Sequence, residues 1–579
     1  MTLQPSQDAT TAGRAALIAW RHSDRGDWYG DNAALQAMVQ RWSPQADAPL
    51  HARLGEFGRQ VAASEPLVHR ISHEPNLPVL ERFDALGRRH ERVRFDASYH
   101  QWGQTVYGSG VMTLTGQPHA AVEQAALVIL ASHHGEAGHV CPLACTAGLI
   151  KAIQTVGHPA LQRGLLPGLL DSNYARRLHG AQFLTEVQGG CDVGANAVQA
   201  VGRRQETAEA PGLWAIHGEK WFCSVIDAPL YLLTARPQGA ADGTRGLGLF
   251  IVPHDLPAED RVHAMPLSHR GGETPSPVNE FSIRRLKSKL GTRAMASGEV
   301  DWNGALAWQL GGLDRGFHNA VEIVLNTSRL FNAMACTGMI WRSWREAASF
   351  AQYRSAFGQP IARFALVDQA VSQLYAEACA ATASTLDLVA LQASGERPEA
   401  ARIGLNMNKY WTSVRATQAI RQAMEVLGGN AAIEDFTPLG RLYRDSLVTE
   451  SWEGTHNVLA AQTFRDMAKL GLHQSWLDWL EQRADALRNR DPLRLQETLQ
   501  VRLIALRSDA RQLVAERSSD PGIATRLWIE NAMVLHQALC LSEMSGPDGA
   551  FPEAVPAQLL ELFAHRAVPV QRGWYPGQP

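Results

Sequence analysis

The sequence predicts a mainly α-helical protein with a small all-β domain inserted in it and a further helical domain appended at its C-terminal end. Three observations carry this expectation. Between about 181 and 305 the chain changes to short β-type runs, Leu213-Trp214-Ala215-Ile216, Tyr231-Leu232-Leu233-Thr234 and Gly248-Leu249-Phe250-Ile251-Val252, separated by Gly, Pro and Asp. After about 306 helical spacing returns. Val367, Val371, Leu374 and Ala378 follow one another at intervals of four, three and four, which puts them on one helix face. Beyond about 470, Trp476, Leu480, Ala484 and Leu487 form one more stripe of the same kind.

Taken in order, residues 1–180 are expected to form an N-terminal helical domain, mostly helix with long loops. There Ala126, Val128, Ile129 and Leu130 precede Pro-, Gly- and Arg-rich punctuation. Residues 181–305 form the β domain. Several successive helices make 306–470 a bundle, and 471–579 an appended helical domain. A chain of 579 residues is too long for one core, so three or four domains are expected. No internal repeat or low-complexity tract interrupts it.

Composition bounds the function. With 45% hydrophobic and 19% charged residues the chain is an ordinary globular protein. A net charge of -3 gives no general attraction to nucleic acid or anionic membranes. The N-terminus lacks a basic segment followed by an apolar core, and no run of about 18 apolar residues is evident, so a cytoplasmic protein without a membrane span is expected. Seven cysteines, an odd number scattered through the chain, argue for reduced thiols. Cys141 and Cys145 have neither metal-finger nor redox-motif spacing and are expected to be buried as small apolar residues.

Several motifs invite chemistry. His133, His134, Glu136 and His139 are metal-ligand types, but two glycines interrupt any helix that would align them, and no metal site is expected. Gly108-Ser-Gly110 and Gly246-Leu-Gly248 lack the third glycine of a dinucleotide fingerprint, and no Gly-x-Ser-x-Gly elbow occurs. Three other stretches gain meaning together. Thr185 to Asp192 opens the β domain with glycines that let backbone amides approach a flat or anionic ligand; alone it is also a plain turn. Arg354-Ser-Ala-Phe357-Gly358-Gln359 sets a guanidinium beside a glycine turn, as a surface helix end also does. Met424 to Asn430 continues through Arg444-Asp445 to Trp452-Glu453-Gly454-Thr455-His456-Asn457, where a carboxylate between an aromatic residue and a glycine suits a base, although a helix N-cap turn looks similar.

In this order the three stretches resemble the acyl-CoA dehydrogenase superfamily over roughly residues 130 to 470. Thr-Glu-x-x-x-Gly-Ser/Cys-Asp is matched at Thr185 to Asp192, Arg-x-x-Phe-Gly at Arg354 to Gly358, and the Gly-Gly, Arg-Asp and Glu-Gly-Thr series from Gly428 to Thr455. The AidB-type (alkylation-response, isovaleryl-CoA dehydrogenase-like) branch is the nearest likeness. It shares Leu80 to Arg89, Glu136 to Pro142, Lys289 to Ser297, Glu425 to Gly429, the Trp-Glu-Gly at 452–454 and the long C-terminal extension. Cys191 stands where the family commonly has serine, Phe222 where many members have tryptophan, and Glu425 where glutamine is common.

The resemblance implies a helical N-terminal domain, a middle β-barrel, a C-terminal four-helix bundle and an extra helical domain. It implies FAD between barrel and bundle, held by Thr185, Gly190, Cys191, Phe222, Ser224, Gly428, Gly429, Thr455 and Asn457. Arg354, Phe357 and Gln359 would serve the cofactor of a neighbouring subunit in a homo-oligomer, a dimer or tetramer. The implied reaction is α,β-dehydrogenation of an acyl thioester, CoA being the expected carrier. Glu453 would be the α-proton base, the flavin the hydride acceptor, and an electron-transfer flavoprotein the onward acceptor. Some members carry the base on an earlier helix, but the matching residue here is Ser328, beside Arg329. The alternative is an AidB-type DNA-associated alkylation-response flavoprotein with weak or incidental dehydrogenase activity. Against it, residues 471–579 hold eleven Lys/Arg and thirteen Asp/Glu, and the eight arginines from Arg483 to Arg517 read as a solvated helix face.

Overall fold

The computed structural model describes residues 4–23, 26–43, 47–257, 277–487, 495–515, 522–545 and 554–563. The N-terminal third holds helices α1 (Gln4–Ser23), α2 (Ala33–Trp42), α3 (Ala48–Ala63), α4 (Glu65–Ile71), α5 (Ala97–Gly108), α6 (Ala121–Ala131), α7 (Val140–Val156) and α8 (Pro159–Leu169). Short polar side chains fix several starts: Asn32, Asp47 and Asp96 accept from the backbone N–H of Leu35, Leu50 and Ser98. The expectation of helix and long loops misses one feature here. Strands β1 (Val79–Phe83) and β2 (Arg89–Arg94) form an antiparallel hairpin, its turn held by Asp84 accepting from Leu86 and Arg88 N–H. Its alternation is one of charge more than hydropathy. Arg94–Glu81 and Arg92–Asp255 ion pairs flank it, so an apolar period of two never appears.

The β region is a seven-stranded sheet of β3 (Gly180–Phe183), β4 (Gln199–Arg204), β5 (Leu213–Ser224), β6 (Leu230–Pro237), β7 (Gly248–Pro253), β8 (Phe281–Leu286) and β9 (Ser297–Gln309). All three apolar runs expected as strands are strands. The order is β3-β6-β4-β5-β9-β7, with β8 on β9 and β7 also paired to β6. Register is fixed by pairs such as Ala215↔Leu306 and Leu232↔Ile251. β7 is buried along its whole length, so it reads as a continuous apolar run.

A four-residue helix α9 (Gly316–Asn319) and a π turn (Ala320–Leu325) lead into α10 (Asn326–Tyr353). The small hairpin β10 (Ser355–Ala356) and β11 (Gln359–Pro360) then turns the chain into α11 (Ala365–Ser394). Next come α12 (Pro398–Leu427), α13 (Leu439–Ser451) and α14 (His456–Leu470). Glycines in left-handed conformation stop two of them, Gly395 after α11 and Gly471 after α14. Helices α10, α11 and α12 pack on one another, and α13 lies on α10 and α12. On the stripe of α11, Leu374 and Ala378 are buried while Val367 and Val371 are half-buried near the helix start. Helix α11, although interrupted by polar residues, is long and apolar enough by length and composition to cross a membrane, but its apolar window is 89% buried as the core helix of the bundle.

Helices α15 (Leu472–Ala486), α16 (Leu495–Ala515), α17 (Gly522–Ser542) and α18 (Ala554–Leu562) complete the described residues. Trp476, Leu480, Ala484 and Leu487 are all buried, as their stripe requires. Helix α17 rests on the bundle through Trp411 Nε1 donating to Gln537 and Tyr410 Oη donating to Glu530, at 2.9 and 2.8 Å.

Packing is close where α10 crosses α6. A Cβ at Gly338 would drive into the Ile129 carbonyl and sit 2.8 Å from Ser132 Cβ. Gly338→Ala is therefore expected to lower stability by about 1–3 kcal/mol through overpacking, measured by denaturant unfolding. An unchanged midpoint would show that the two helices yield.

Candidate active site

The site is built around the link between α13 and α14, where the chain reverses within a few residues. Glu453 (φ +56°) and Gly454 (φ +101°) are both left-handed. Glycine adopts this freely, but for a glutamate it costs on the order of 1–3 kcal/mol and persists only where the surroundings impose it. Two buried cations do so. Arg329 Nε from α10 donates to the Glu453 carbonyl at 3.1 Å. Lys409 Nζ from α12 donates to the carbonyls of Glu450 at 3.1 Å and Gly454 at 2.9 Å. Trp452 Nε1 donates to Asn332 Oδ1 on α10.

The carboxylate of Glu453 accepts no hydrogen bond among the described residues, and the residue is half-buried. Burial in protein-dense surroundings pushes its pKa up to about 7, against the pull of Arg329 and Lys409. Two other acids nearby are also raised by burial. Glu136, pushed up to about 7, accepts from the backbone N–H of Gly138 and Cys141. Asp445 accepts from the N–H of Glu136 and Thr292. Both are engaged in fixing backbone. Glu453 is thus the raised carboxylate left free to take a proton.

Contacts lead from this loop to the β sheet. Ser328, next to Arg329, donates to Gln182 Oε1 of β3 at 3.2 Å, and Gln182 Nε2 donates to the Cys145 carbonyl at 3.2 Å. Cys141 and Cys145 are buried and unbridged in the cluster against which Trp452 packs. β3 runs on to Thr185, whose carbonyl accepts from Trp221 N–H at 3.0 Å and so lies beside the 220–224 strand end. Gly190 folds back on it: a Cβ there would come within 2.9 Å of Thr185 Oγ1. The turn is organised by Glu186, which accepts from Lys220 Nζ at 2.6 Å, from Gln188 Nε2 and from the Ala197 and Val198 amides. Cys191 is exposed at its tip, Phe222 is 50% exposed on β5, and Ser224 shares a hydrogen bond with Ser297 at 3.1 Å. Thr455 and Asn457 are exposed at the start of α14, beside the Glu453 loop.

The remaining candidates lie elsewhere. Arg354 follows α10, 25 residues after Arg329 (354 minus 329), which is roughly 37 Å along the helix. Gly428 follows α12, 19 residues after Lys409 (428 minus 409), roughly 28 Å away. Both fall at one end of the bundle, where Gln422 donates to Gln373. Arg354 is exposed, Phe357 is 97% exposed in a left-handed turn, and Gln359 is half-buried in β11. One chain therefore does not bring Arg354, Phe357, Gln359, Gly428 and Gly429 to the Glu453 loop. Sequence reasoning missed Lys409, Gln182 and Asn332, and it named Arg329 only as a neighbour; a lysine inside an apolar helix stretch was the available signal at 409.

The histidines read as poor ligands are structural. His133 stacks on Trp28, and His134 bonds Glu65 and the Val61 carbonyl. Among the described residues one group has metal-ligand spacing, Asp387, His536 and Cys540, but Arg483 already supplies its cation, 2.6 Å from Asp387 and 3.3 Å from Cys540 Sγ. Within the arginine-rich stretch, Arg507 pairs with Asp478 and Glu481, and Arg502 donates to the Leu560 and Phe563 carbonyls. Arg488, Arg490, Arg494 and Arg517 lie outside the described residues.

Comparison with known proteins bears on this arrangement. Residues 314–468 match the family model described as acyl-CoA dehydrogenase, C-terminal domain, and residues 21–176 that of the adaptive response protein AidB N-terminal domain. The chain is 30% identical over 456 residues to the putative acyl-CoA dehydrogenase AidB of Escherichia coli, covering 76% of this chain and 78% of that one. It is 27% identical over 461 residues to acyl-CoA dehydrogenase family member 11 of Caenorhabditis elegans, covering 76% and 70%. Among solved structures, that of C. elegans ACDH-11 in complex with C11-CoA superposes with TM-score 0.81 at 23% identity, over 94% of this chain and 92% of that one. Butyryl-CoA dehydrogenase from Megasphaera elsdenii superposes at 0.57 and 18%, over 72% and 97%.

Proposed function

The chain belongs to the acyl-CoA dehydrogenase family, in its AidB-type branch, and from that premise we propose that it is a flavoprotein dehydrogenating an acyl-CoA between Cα and Cβ, with Glu453 as the base. The observation that carries the assignment of the base is the free, raised carboxylate of Glu453 in a strained loop held by two buried cations. The residues present suit FAD: Phe222 offers a half-exposed ring on β5, with the Lys287 ammonium 4.9 Å from its centroid, and the Thr185 and Ser224 hydroxyls and the Gly190 turn belong to the same strand-end region. When bound, FAD accepts the hydride equivalent from Cβ. The protein's part is to set the thioester against Glu453, exclude water from it and take the α-proton on its carboxylate. The ligand seen with the C. elegans relative, C11-CoA, supports a CoA thioester as the substrate class. Electrons are assigned onward to an electron-transfer flavoprotein. We read the strand pairings from β6 through β4, β5, β9 and β7 back to β6 as the family barrel.

The base must be ionised to act. With a pKa near 7, the rate of thioester-driven flavin reduction is expected to fall as pH drops below about 7. Anaerobic stopped-flow reduction across pH, with the unsaturated thioester identified by mass spectrometry, tests this; a flat profile from pH 5 to 9 argues against Glu453.

The separation of Arg354 and Gln359 from the Glu453 loop leads us to place them against the cofactor of a neighbouring copy in a homo-oligomer, with Phe357 in the contact. Arg354→Ala is then expected to weaken FAD retention by removing a charge-assisted contact to the pyrophosphate while leaving the fold intact. Equal FAD content after gel filtration of wild type and variant would contradict it.

A further inference from the structure

Helix α12 brings one charged side chain to the back of the Glu453 loop, and nothing in the dehydrogenation itself requires it. Lys409 is wholly buried, and its ammonium is spent on two backbone carbonyls on either side of the base: Glu450 in the last turn of α13, and Gly454 just after Glu453. The Glu450 carbonyl lies at the negative end of the α13 dipole, where a cation is favoured. The loop between is doubly left-handed. Without a clamp, relaxation of Glu453 toward ordinary backbone geometry would redirect its side chain. Arg329 holds the carbonyl of Glu453 itself, and a Cβ on Gly454 would lie 3.7 Å from its Nη2, so the two cations grip the same four-residue link from two helices, α10 and α12.

We propose that Lys409 is a positioning residue for Glu453, holding the base loop in its strained geometry and supplying part of the positive field that keeps the carboxylate ionised. This rests on the reading of Glu453 as the base. Charged and titratable groups act on Glu453 from three helices, Arg329 from α10, Lys409 from α12 and Cys141 from α7, while Glu450 of α13 acts on Lys409. Burial pulls Lys409 down to about 8, with Glu453, Cys336 and Glu450 opposing that pull, so lysine and glutamate lose their charges over neighbouring pH ranges.

The test compares wild type with Lys409→Met and Lys409→Arg as full-length, FAD-loaded protein. Two quantities are read: the Glu453 carboxyl titration, followed by infrared difference spectroscopy and assigned by its loss in Glu453→Gln, and the rate of flavin bleaching by a saturated acyl-CoA. Lys409→Met is expected to move the carboxyl titration upward by roughly one pH unit, as loss of a nearby cation does, and to slow bleaching at least about 10-fold through misplacement. Lys409→Arg keeps the charge but not both bonds; it should leave the titration near its wild-type position while still slowing bleaching. If Lys409→Met does not fold, the arginine variant decides alone: wild-type rates in it overturn the proposal. An unmoved titration together with unchanged bleaching in Lys409→Met also overturns it. If no thioester bleaches even the wild type, the dehydrogenase reading fails on its own, and the carboxyl titration still decides whether Lys409 governs Glu453.

Discussion

Glu453→Gln is expected to give a folded, yellow protein whose flavin is bleached by a saturated acyl-CoA at least about 10²-fold more slowly than in wild type, the scale of losing a general base. Glutamine keeps the shape and leaves the loop bonds from Arg329 and Lys409 to backbone carbonyls untouched, so geometry survives while the proton acceptor is lost. Ser328, at the place where some members carry their base, donates to Gln182 and has no carboxylate to offer. Glu136 and Asp445, the nearby acids whose carboxyls burial also raises, are tied to backbone amides. No neighbour is placed to substitute. Wild-type bleaching by Glu453→Gln, in stopped flow, would move the base elsewhere.

Glu186→Ala should be the most damaging single change to the fold. It leaves Lys220, fully buried, facing no counter-charge across a 2.6 Å pair, and also removes the acceptor of the Ala197 and Val198 amides. Breaking a buried pair from one side costs about 3–5 kcal/mol. The pH dependence follows from Lys220, whose pKa burial already depresses and only Glu186 and Cys223 support. In the variant the folded protein favours the neutral amine, so the unfolded chain binds more protons between the lowered pKa and the ordinary value near 10.4. The deficit should therefore be largest at low pH and narrow as pH rises through that window. Denaturant midpoints from pH 6 to 10 measure it; a loss under about 1 kcal/mol, or one that grows with pH, would contradict the pairing.

How much of this was legible in the sequence depends on the physics of each element. The runs at 213, 231 and 248 announced strands because β7 and much of β6 are covered on both faces and need continuous apolar residues. The stripe at Trp476 announced a helix because every member is buried. Glu453 was found through the resemblance of the Gly-Gly, Arg-Asp and Glu-Gly-Thr series to a known family, since the residues around it share no period and alone read equally as a helix N-cap turn. The hairpin at 79–94 was missed because ion pairs line it. The left-handed Glu453 was invisible, for nothing local forces it. The bonds that do come from Arg329 and Lys409, 124 and 44 residues upstream (453 minus 329, 453 minus 409). Likewise the Thr-Glu motif at 185–186 suggested a ligand turn, whereas Glu186 acts first on the fold, through Lys220, and only then on the loop that carries Gly190 and Cys191.

Anaerobic titration of the FAD-loaded protein with saturated acyl-CoAs of increasing chain length asks directly whether this chain oxidises an acyl-CoA. At least one is expected to bleach the flavin band to completion, near one equivalent per subunit, with the α,β-unsaturated thioester formed in step. A flavin that stays oxidised with every chain length, in a protein that retains its FAD, would contradict it.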